Sequence, residues 1–306
     1  MAAKPNGGAL MKISNQLTKI LERPTNEASF KRAIKKLASH VEHECGLPLQ
    51  RIYREIAYQA FLNRISKSGL RFILKGGFSL ELQSETPTRV TTDIDMIYMT
   101  RGLEKNPNGR KVISEAIKKA LLEHTGDFFK FKFEEDRGVI VGAPEGGERL
   151  SVMASLCGNN FERIMIDVCL NEEPVMPTQN LDRTGKHLQR ISIDAENFEA
   201  ISKEQHFAKK IHAYTRPRKT ENSRAKDLVD LYILIKNMGL DPKLAKDAVF
   251  KIFDTYRSHP VPTGLQQPPA SWEKQWTRLT SEASMSDLTI KVAFRVTTEF
   301  YEMIMA

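Results

Sequence analysis

The sequence predicts an α/β chain of the α+β kind: N-terminal helices, a mixed sheet, and an all-helical C-terminal third. Three observations carry that prediction. Phe30, Ile34, Leu37 and Val41 recur at helical spacing in the first 70 residues. Asp93-Ile-Asp-Met-Ile-Tyr98 then opens by alternating acidic and apolar residues, the period of a strand. From about Phe198 the helical period returns and persists to the C-terminus.

Each element follows from local chemistry. The first helix closes at Gly46-Leu-Pro48, and a second runs from about Leu49 to Lys67 and stops by Gly69. Arg71 to Leu74 is a short apolar strand halted by Gly76-Gly77 in a tight connection. Val112, Ala116 and Ala120 mark a helix carried through Leu121 and Leu122 to Gly126. Strands are expected at Phe128–Phe133, Leu150–Leu156 and Arg163–Leu170, the last two joined by a turn at Gly158-Asn-Asn160. Farther on, helical stripes are formed by Phe207, Ile211 and Tyr214, then Leu228, Leu231, Tyr232 and Ile235, then Leu244, Ala248, Ile252 and Tyr256. A loop with four prolines spans Ser258 to Ala270, and Ile290, Phe294, Thr297, Tyr301 and Ile304 line the last helix. The expected division is residues 1–195, a core with N-terminal helices, and residues 196–306, a helical domain.

Composition excludes several classes. With 306 residues, 41% hydrophobic and 27% charged, the chain can bury a sizeable core and is neither disordered nor fibrous. No apolar run approaches the roughly 20 residues that span a bilayer, and the start at Met1 lacks a secretory apolar stretch, so a cytoplasmic protein without membrane contact is expected. Cys45, Cys157 and Cys169 are too few and scattered for a disulfide framework and read as isolated core thiols. Lys and Arg number 46 against 38 Asp and Glu, a net +8 that suits a polyanionic partner such as nucleic acid. Residues 203–226 concentrate that charge, with eight Lys and Arg against Glu204 and Glu221. No zinc-hydrolase His pattern, P-loop or nucleophile motif is present, the glycines from Gly138 to Gly147 included, and Trp272 and Trp276 read as packing residues.

The chemistry concentrates in Gly76-Gly77, Asp93-x-Asp95 and Asp167. Glycines after a strand let backbone N–H groups approach a phosphate closely. Asp93 and Asp95 project from one face of a strand, and two adjacent carboxylates are costly unless a cation bridges them. Hard oxygen donors in that arrangement suit Mg²⁺, or Mn²⁺, shared with substrate phosphates. Asp167 lies inside the apolar run Ile164 to Leu170, where a carboxylate needs a cation or donors. If that strand pairs beside the Asp93 strand, the three carboxylates form a metal site for in-line phosphoryl transfer.

The runs Leu74-Lys-Gly-Gly-Phe-Ser-Leu80 and Arg89-Val-Thr-Thr-Asp-Ile-Asp95 resemble the nucleotidyltransferase signature of the DNA polymerase β superfamily. More narrowly, they resemble the AbiEii/AbiGii toxins of bacterial abortive-infection and type IV toxin–antitoxin systems, a family that includes the MenT toxins. Phe207 to Tyr214 is similar to that family's lysine-bearing helix and places the lysine at Lys210; Arg224 to Tyr232 is similar to its acidic helix and places the acids at Asp227 and Asp230. The likeness covers roughly residues 50–236. Two positions depart from the pattern: Phe78 follows Gly77 where a small hydroxyl residue is usual, with Ser79 one step later, and Lys226 replaces an arginine.

The resemblance implies a polymerase-β-like core and a metal-dependent nucleotidyltransferase toxin that transfers NMP from NTP to RNA, with the tRNA 3′ end as acceptor and translation as target. It implies a cognate antitoxin protein as partner. Asp93, Asp95, Lys210 and Asp227 become the candidate catalytic residues, Lys75, Gly76, Gly77, Ser79 and Arg89 the nucleotide-binding ones, and Asp93, Asp95 and Asp167 the metal ligands. Either Asp167 or Asp227 serves as base or third ligand. Lys210 shares the helical face of Phe207, Ile211 and Tyr214 and so points inward, towards a triphosphate or into an ion pair with Asp227. Two other readings share the fold: nucleotidylation of a protein hydroxyl, and a non-catalytic nucleic-acid-binding module.

Overall fold

A computed structural model of the chain describes residues 22–99, 109–134, 147–169, 174–182 and 184–306. The chain start, the glycines from Gly138 to Gly146, and Leu170 at the end of the expected strand lie outside them. The chain packs as two units. The first comprises Met1–Leu74, Thr92–Glu172 and Asn180–Glu199; the second comprises Lys75–Thr91, Glu173–Gln179 and Ala200–Ala306.

In the first unit, α1 (Glu27–Cys45) starts from Asn26, whose side chain accepts from the Ser29 N–H while Ser29 bonds back, a reciprocal cap. Gly46 ends it in the left-handed conformation, φ 65°. Phe30, Ile34, Leu37 and Val41 are buried, as their spacing requires. Helix α2 (Leu49–Lys67) is buried nearly all round, polar side chains included. Arg64 shows how: it donates to both Asp127 oxygens (3.2 and 2.8 Å) and to the Leu121 and Phe129 carbonyls (2.6 and 2.7 Å), so a buried guanidinium is satisfied on every side.

The sheet contains β1 (Phe72–Lys75), β2 (Asp93–Tyr98), β3 (Lys130–Phe133), β4 (Gly147–Leu156), β5 (Asn159–Cys169), β6 (Gln179–Leu181) and β7 (Phe198–Ala200), in the order β3-β4-β5-β2-β1-β7-β6. It is mixed: β2 and β5 are parallel, β3–β4 and β4–β5 antiparallel. Ile94, Met96, Leu150, Val152, Ala154, Ile164, Ile166 and Val168 are fully buried and form one apolar face. Helix α2 lies on that side, where Gln50 and Arg54 donate to Glu162 of β5 (3.1 and 3.3 Å). The alternate residues, which include the acids, occupy the other face.

Several expectations need adjustment. Gly76-Gly77 does not form a separate turn; α3 (Gly76–Gln83) starts at Gly76, which takes φ 70°. Helix α4 spans Gly109–Ala120 and stops before Leu122, which is 85% exposed. The β4–β5 turn is Cys157-Gly158, both at positive φ (52° and 73°), one step earlier than expected. Only Cys169 is a buried thiol; Cys45 and Cys157 are partly exposed. Strands β6 and β7 and the five-residue α5 (Lys186–Arg190) have no counterpart in the sequence reading, and Phe198 opens a strand where a helix was expected.

The second unit is built on α6 (Lys203–Thr215), α7 (Ala225–Asn237), α8 (Pro242–Tyr256), a 3₁₀ turn at Ala270–Trp272, α9 (Glu273–Glu282) and α10 (Ile290–Met305). Ser202, Asp241 and Thr289 cap α6, α8 and α10 with side-chain oxygens. One apolar cluster joins Leu80 and Met176 to Phe207, Ile211, Leu231, Val249 and Tyr301, while a second gathers Trp272, Trp276, Leu228, Val229 and Phe294. Both tryptophans are packing residues, and each indole N–H donates to a carbonyl, of Asn222 and Leu288 (2.5 and 2.6 Å). In α8 the buried stripe is Ala245, Ala248, Val249, Ile252 and Phe253, and Leu244 sits one step outside it, 43% exposed.

Candidate active site

In the first unit, β2 and β5 are in parallel register with Asp95 opposite Asp167 and Asp93 opposite Met165. Asp93 and Asp95 are two apart on their strand, so the three carboxylates share the polar face of the sheet. Asp93 and Asp95 are half-buried and Asp167 is buried. The sequence reading had no place for the residue that meets Asp167. Arg149 of β4 lies directly across from it in the antiparallel ladder and donates from Nε to Oδ1 (2.7 Å) and from Nη2 to Oδ2 (2.5 Å). Asp167's hydrogen bonds and charge, together with Asp93 and Asp95, raise the basicity of Arg149 far above its ordinary value despite the opposing effect of burial.

Among the described residues, no three His, Cys, Asp or Glu side chains are drawn together closely enough to hold a metal ion. Asp93 and Asp95 nonetheless fit Mg²⁺ as a carboxylate pair on one strand face, because that ion needs only one or two protein carboxylates when substrate phosphates and water complete its shell. Asp167 stands apart from them chemically, since both of its oxygens are engaged by Arg149.

The second unit holds the remaining candidates. Lys75 precedes α3, whose N-terminus has no side-chain cap, so its first N–H groups are not taken by a capping side chain. A Cβ on Gly77 would lie 2.7 Å from Thr91 Oγ1 and 3.2 Å from Arg89 Nη2, so only glycine allows the close approach of the 89–91 segment. Ser79, expected at the nucleotide, is fully buried: its hydroxyl accepts from Gln83 Nε2 (2.9 Å) and lies 3.2 Å from His206 Nε2. Phe78 is buried as well.

Arg89 clasps Asp230 with Nε and Nη2, both at 2.9 Å. Lys210 bridges Asp230 Oδ2 (2.7 Å) and Asp227 Oδ1 (2.8 Å). Two cations and two carboxylates are thus interleaved in a buried network, with Lys210 pointing inward as its helical face demands. Burial alone would lower the Lys210 pKa, but Asp227 and Asp230 outweigh it and hold the ammonium charged above its usual range. Burial would likewise raise Asp230, yet Lys210 and Arg89 pull it below the ordinary carboxylate range. Asp227 is distinguished by its second oxygen: Oδ2 is buried without a hydrogen-bond partner, and Arg224 Nη1 comes no nearer than 3.5 Å. His206, buried beside this network, is pushed down to about 3, first by burial and then by Lys210 and Lys209.

The basic block at 203–226 is not one uniform patch. Lys203 donates to the Met238 and Gly239 carbonyls (2.9 and 2.7 Å), Lys209 to the Tyr256 hydroxyl (2.8 Å), and Arg218 to the Ala213 and Arg216 carbonyls (2.5 and 3.0 Å). These cations finish helix ends and loops. In the first unit a cavity of about 610 Å³, lined by Ser68, Leu70, Val112, Glu115 and Lys119 among others, contains none of the candidate residues. No helix among the described residues is long and apolar enough to cross a membrane.

A family model described as nucleotidyl transferase AbiEii toxin, type IV TA system, matches residues 60–295. Among solved structures, MenT4, a nucleotidyltransferase toxin of Mycobacterium tuberculosis, is 16% identical over 92% of this chain and 99% of its own, with a TM-score of 0.49. An antigenic nucleotidyltransferase-like protein from Paracoccidioides brasiliensis is 13% identical over 67% of this chain and 88% of its own, with a TM-score of 0.39. No curated protein matches the chain.

Proposed function

Since the chain belongs to the AbiEii nucleotidyltransferase toxin family of type IV toxin–antitoxin systems, we propose that it transfers NMP from an NTP to the 3′ end of tRNA and thereby blocks translation. The observation that carries this reading is the register that sets Asp95 against Asp167, with Asp93 on the same sheet face. Asp93 and Asp95 would hold a divalent cation, Mg²⁺ or Mn²⁺, which when bound neutralises triphosphate charge and favours departure of pyrophosphate. Backbone N–H groups at Gly76 and Gly77 receive nucleotide phosphate oxygens, helped by Lys75 and by the uncapped start of α3. Asp227, whose buried Oδ2 makes no hydrogen bond and faces Arg224 at 3.5 Å, would take the proton of the attacking hydroxyl once that hydroxyl gains access to it. Lys210 holds the other Asp227 oxygen and so fixes its orientation; Arg89 does the same for Asp230. Ser79 is left with a packing role.

An RNA acceptor agrees with the net charge of +8. A toxin of this family has a cognate antitoxin that counters it, and the chain works in the cytoplasm, where tRNA is charged. The test incubates purified protein with Mg²⁺, each α-labelled NTP in turn and total tRNA, beside an Asp93→Ala/Asp95→Ala control. Label on tRNA with wild type alone supports the reading and identifies the nucleotide. RNase-resistant label on protein would replace RNA by a protein hydroxyl, and no label with any nucleotide and acceptor would leave a binding module.

A further inference from the structure

The bond between Arg149 and Asp167 depends on a defect in the sheet. Near the turn, β4 and β5 pair Leu156 with Asn159 and Ser155 with Asn160, but beyond a register shift at Ala154/Ser155 they pair Ala154 with Glu162 and continue so to Gly147 opposite Cys169. One residue of β5, Phe161, is thereby skipped. Without the bulge, the register near the turn would carry Glu148 to the place opposite Asp167 and add a fourth acid to the carboxylate group. With it, Arg149 arrives there instead. The side chain of Arg149 is 46% exposed while that of Asp167 is 9% exposed, so the cation approaches from the open side and closes over the acid. The reach of its charge includes Asp93 and Asp95.

We propose that Arg149 is a built-in counter-ion that competes with the divalent cation for Asp167. In its absence three like charges would face one another on adjacent strands. Arg149 offsets one of the three charges in the resting chain by pairing with Asp167, and a cation entering at Asp93 and Asp95 gains Asp167 only by displacing the guanidinium. Once displaced, Arg149 remains anchored on β4 with donors suited to a phosphate, so nucleotide binding and cation binding reinforce one another. This rests on the metal-binding reading of Asp93 and Asp95 given above and adds a device to it.

The experiment is a Mn²⁺ titration of the full chain followed by electron paramagnetic resonance, without nucleotide and then with a non-hydrolysable NTP analogue. Wild type, Arg149→Gln, Arg149→Lys, Arg149→Gln/Asp167→Asn, Asp167→Asn and Asp93→Ala/Asp95→Ala are compared, each checked for a native unfolding midpoint. Arg149→Gln is expected to bind Mn²⁺ roughly three- to tenfold more tightly than wild type, as suits a bidentate pair with one partner half-exposed. Arg149→Lys, with one donor point instead of a fork, falls between. In the Asp167→Asn background the Arg149 substitution changes Mn²⁺ binding clearly less, only through the charge that reaches Asp93 and Asp95, and in Arg149→Gln the tightening by the nucleotide analogue shrinks. Equal or weaker Mn²⁺ binding by folded Arg149→Gln, while Asp93→Ala/Asp95→Ala abolishes binding in wild type, overturns the counter-ion and leaves the metal site standing. Mn²⁺ binding that is absent, or indifferent to Asp93 and Asp95, overturns both.

Discussion

Replacing Asp230 by Asn tests whether the buried charge network of the second unit is structural. Asp230 is fully buried and receives two bonds from Arg89 at 2.9 Å and one from Lys210 at 2.7 Å. Asparagine keeps the volume but not the charge, so Arg89 loses its carboxylate and Lys210 keeps only Asp227. Breaking a buried pair from one side costs about 3–5 kcal/mol, because the remaining cation stays desolvated. Urea unfolding followed by tryptophan fluorescence reads that loss where it occurs, since the protein's two tryptophans, Trp272 and Trp276, both pack in the second unit beside α7. Arg89→Met completes a double-mutant cycle: in the Asp230→Asn background its cost falls by about 2 kcal/mol or more relative to wild type. The pH dependence has a definite sign. Asp230 has a depressed pKa, so its contribution is present above the ordinary carboxylate value and is lost as pH falls through the lower folded value. Lys210 has a raised pKa, so its contribution is present below the ordinary lysine value and is lost only as pH rises through the higher folded one. The wild-type advantage over Asp230→Asn is therefore flat around neutrality and narrows in acid. Additive costs for Arg89→Met and Asp230→Asn, or an Asp230→Asn midpoint equal to wild type, would refute the network's structural role.

Other perturbations probe neighbouring features. Gly77→Ala forces a methyl to within 2.7 Å of Thr91 Oγ1 and 3.2 Å of Thr91 Cγ2, costing about 1–3 kcal/mol in urea melts, and Thr91→Ala in the same chain recovers part of that loss by removing both of those atoms, while Arg89 Nη2 stays in place. His206 stays neutral in the fold down to about 3, whereas the unfolded chain takes up a proton below about 6.5; stability is thus lost as pH falls through that window, and His206→Asn lessens the loss between pH 6.5 and 4.5 by about 2–3 kcal/mol at most. Asp127→Asn removes the carboxylate that faces Arg64 through two bonds inside the first unit and lowers stability by about 3 kcal/mol or more, measured by far-UV circular dichroism during denaturation.

What the sequence disclosed, and what it hid, follows from how far each signal reaches along the chain. Asp93–Tyr98 and Leu49–Lys67 appear with the predicted bounds because alternation and caps are local. Strands β6 and β7 have three residues each, too few for any period to show, and they exist only because neighbouring strands supply their hydrogen bonds. Leu122 was drawn into a helix by its hydrophobicity, although the chain turns at Ala120 and leaves it exposed. The inward course of Lys210 was readable from its helical face; its sharing between Asp227 and Asp230 was half-readable, from acids spaced three apart on α7. The Arg89–Asp230 clasp joins residues 141 apart and carries no local mark. Arg149 was missed for a sharper reason. Counting back from the β4–β5 turn pairs Asp167 with Glu148, and only the bulge at Phe161 moves Arg149 into its place.

Both units apply the same solution to the same electrostatic problem. Carboxylates suited to phosphoryl transfer are expensive to bury or cluster before substrate arrives. In the first unit Arg149 takes up Asp167, and in the second Lys210 and Arg89 take up Asp227 and Asp230. The two cases differ in exposure, and that difference assigns them different fates. Arg149 is half in solvent, so water can replace Asp167 around its guanidinium at modest cost and the pair can open. Arg89 is buried and Lys210 is only 14% exposed, with both partners buried, so opening either pair strands a carboxylate away from water. The first pair is suited to exchange and the second to permanence. Asp227 Oδ2, buried, without a hydrogen-bond partner and 3.5 Å from Arg224 Nη1, is then the oxygen of the Lys210–Arg89 network least committed to holding the fold. A proton delivered to it would leave the Lys210 bond to the other oxygen intact, which is what a base must allow if it is to act without dismantling its own support.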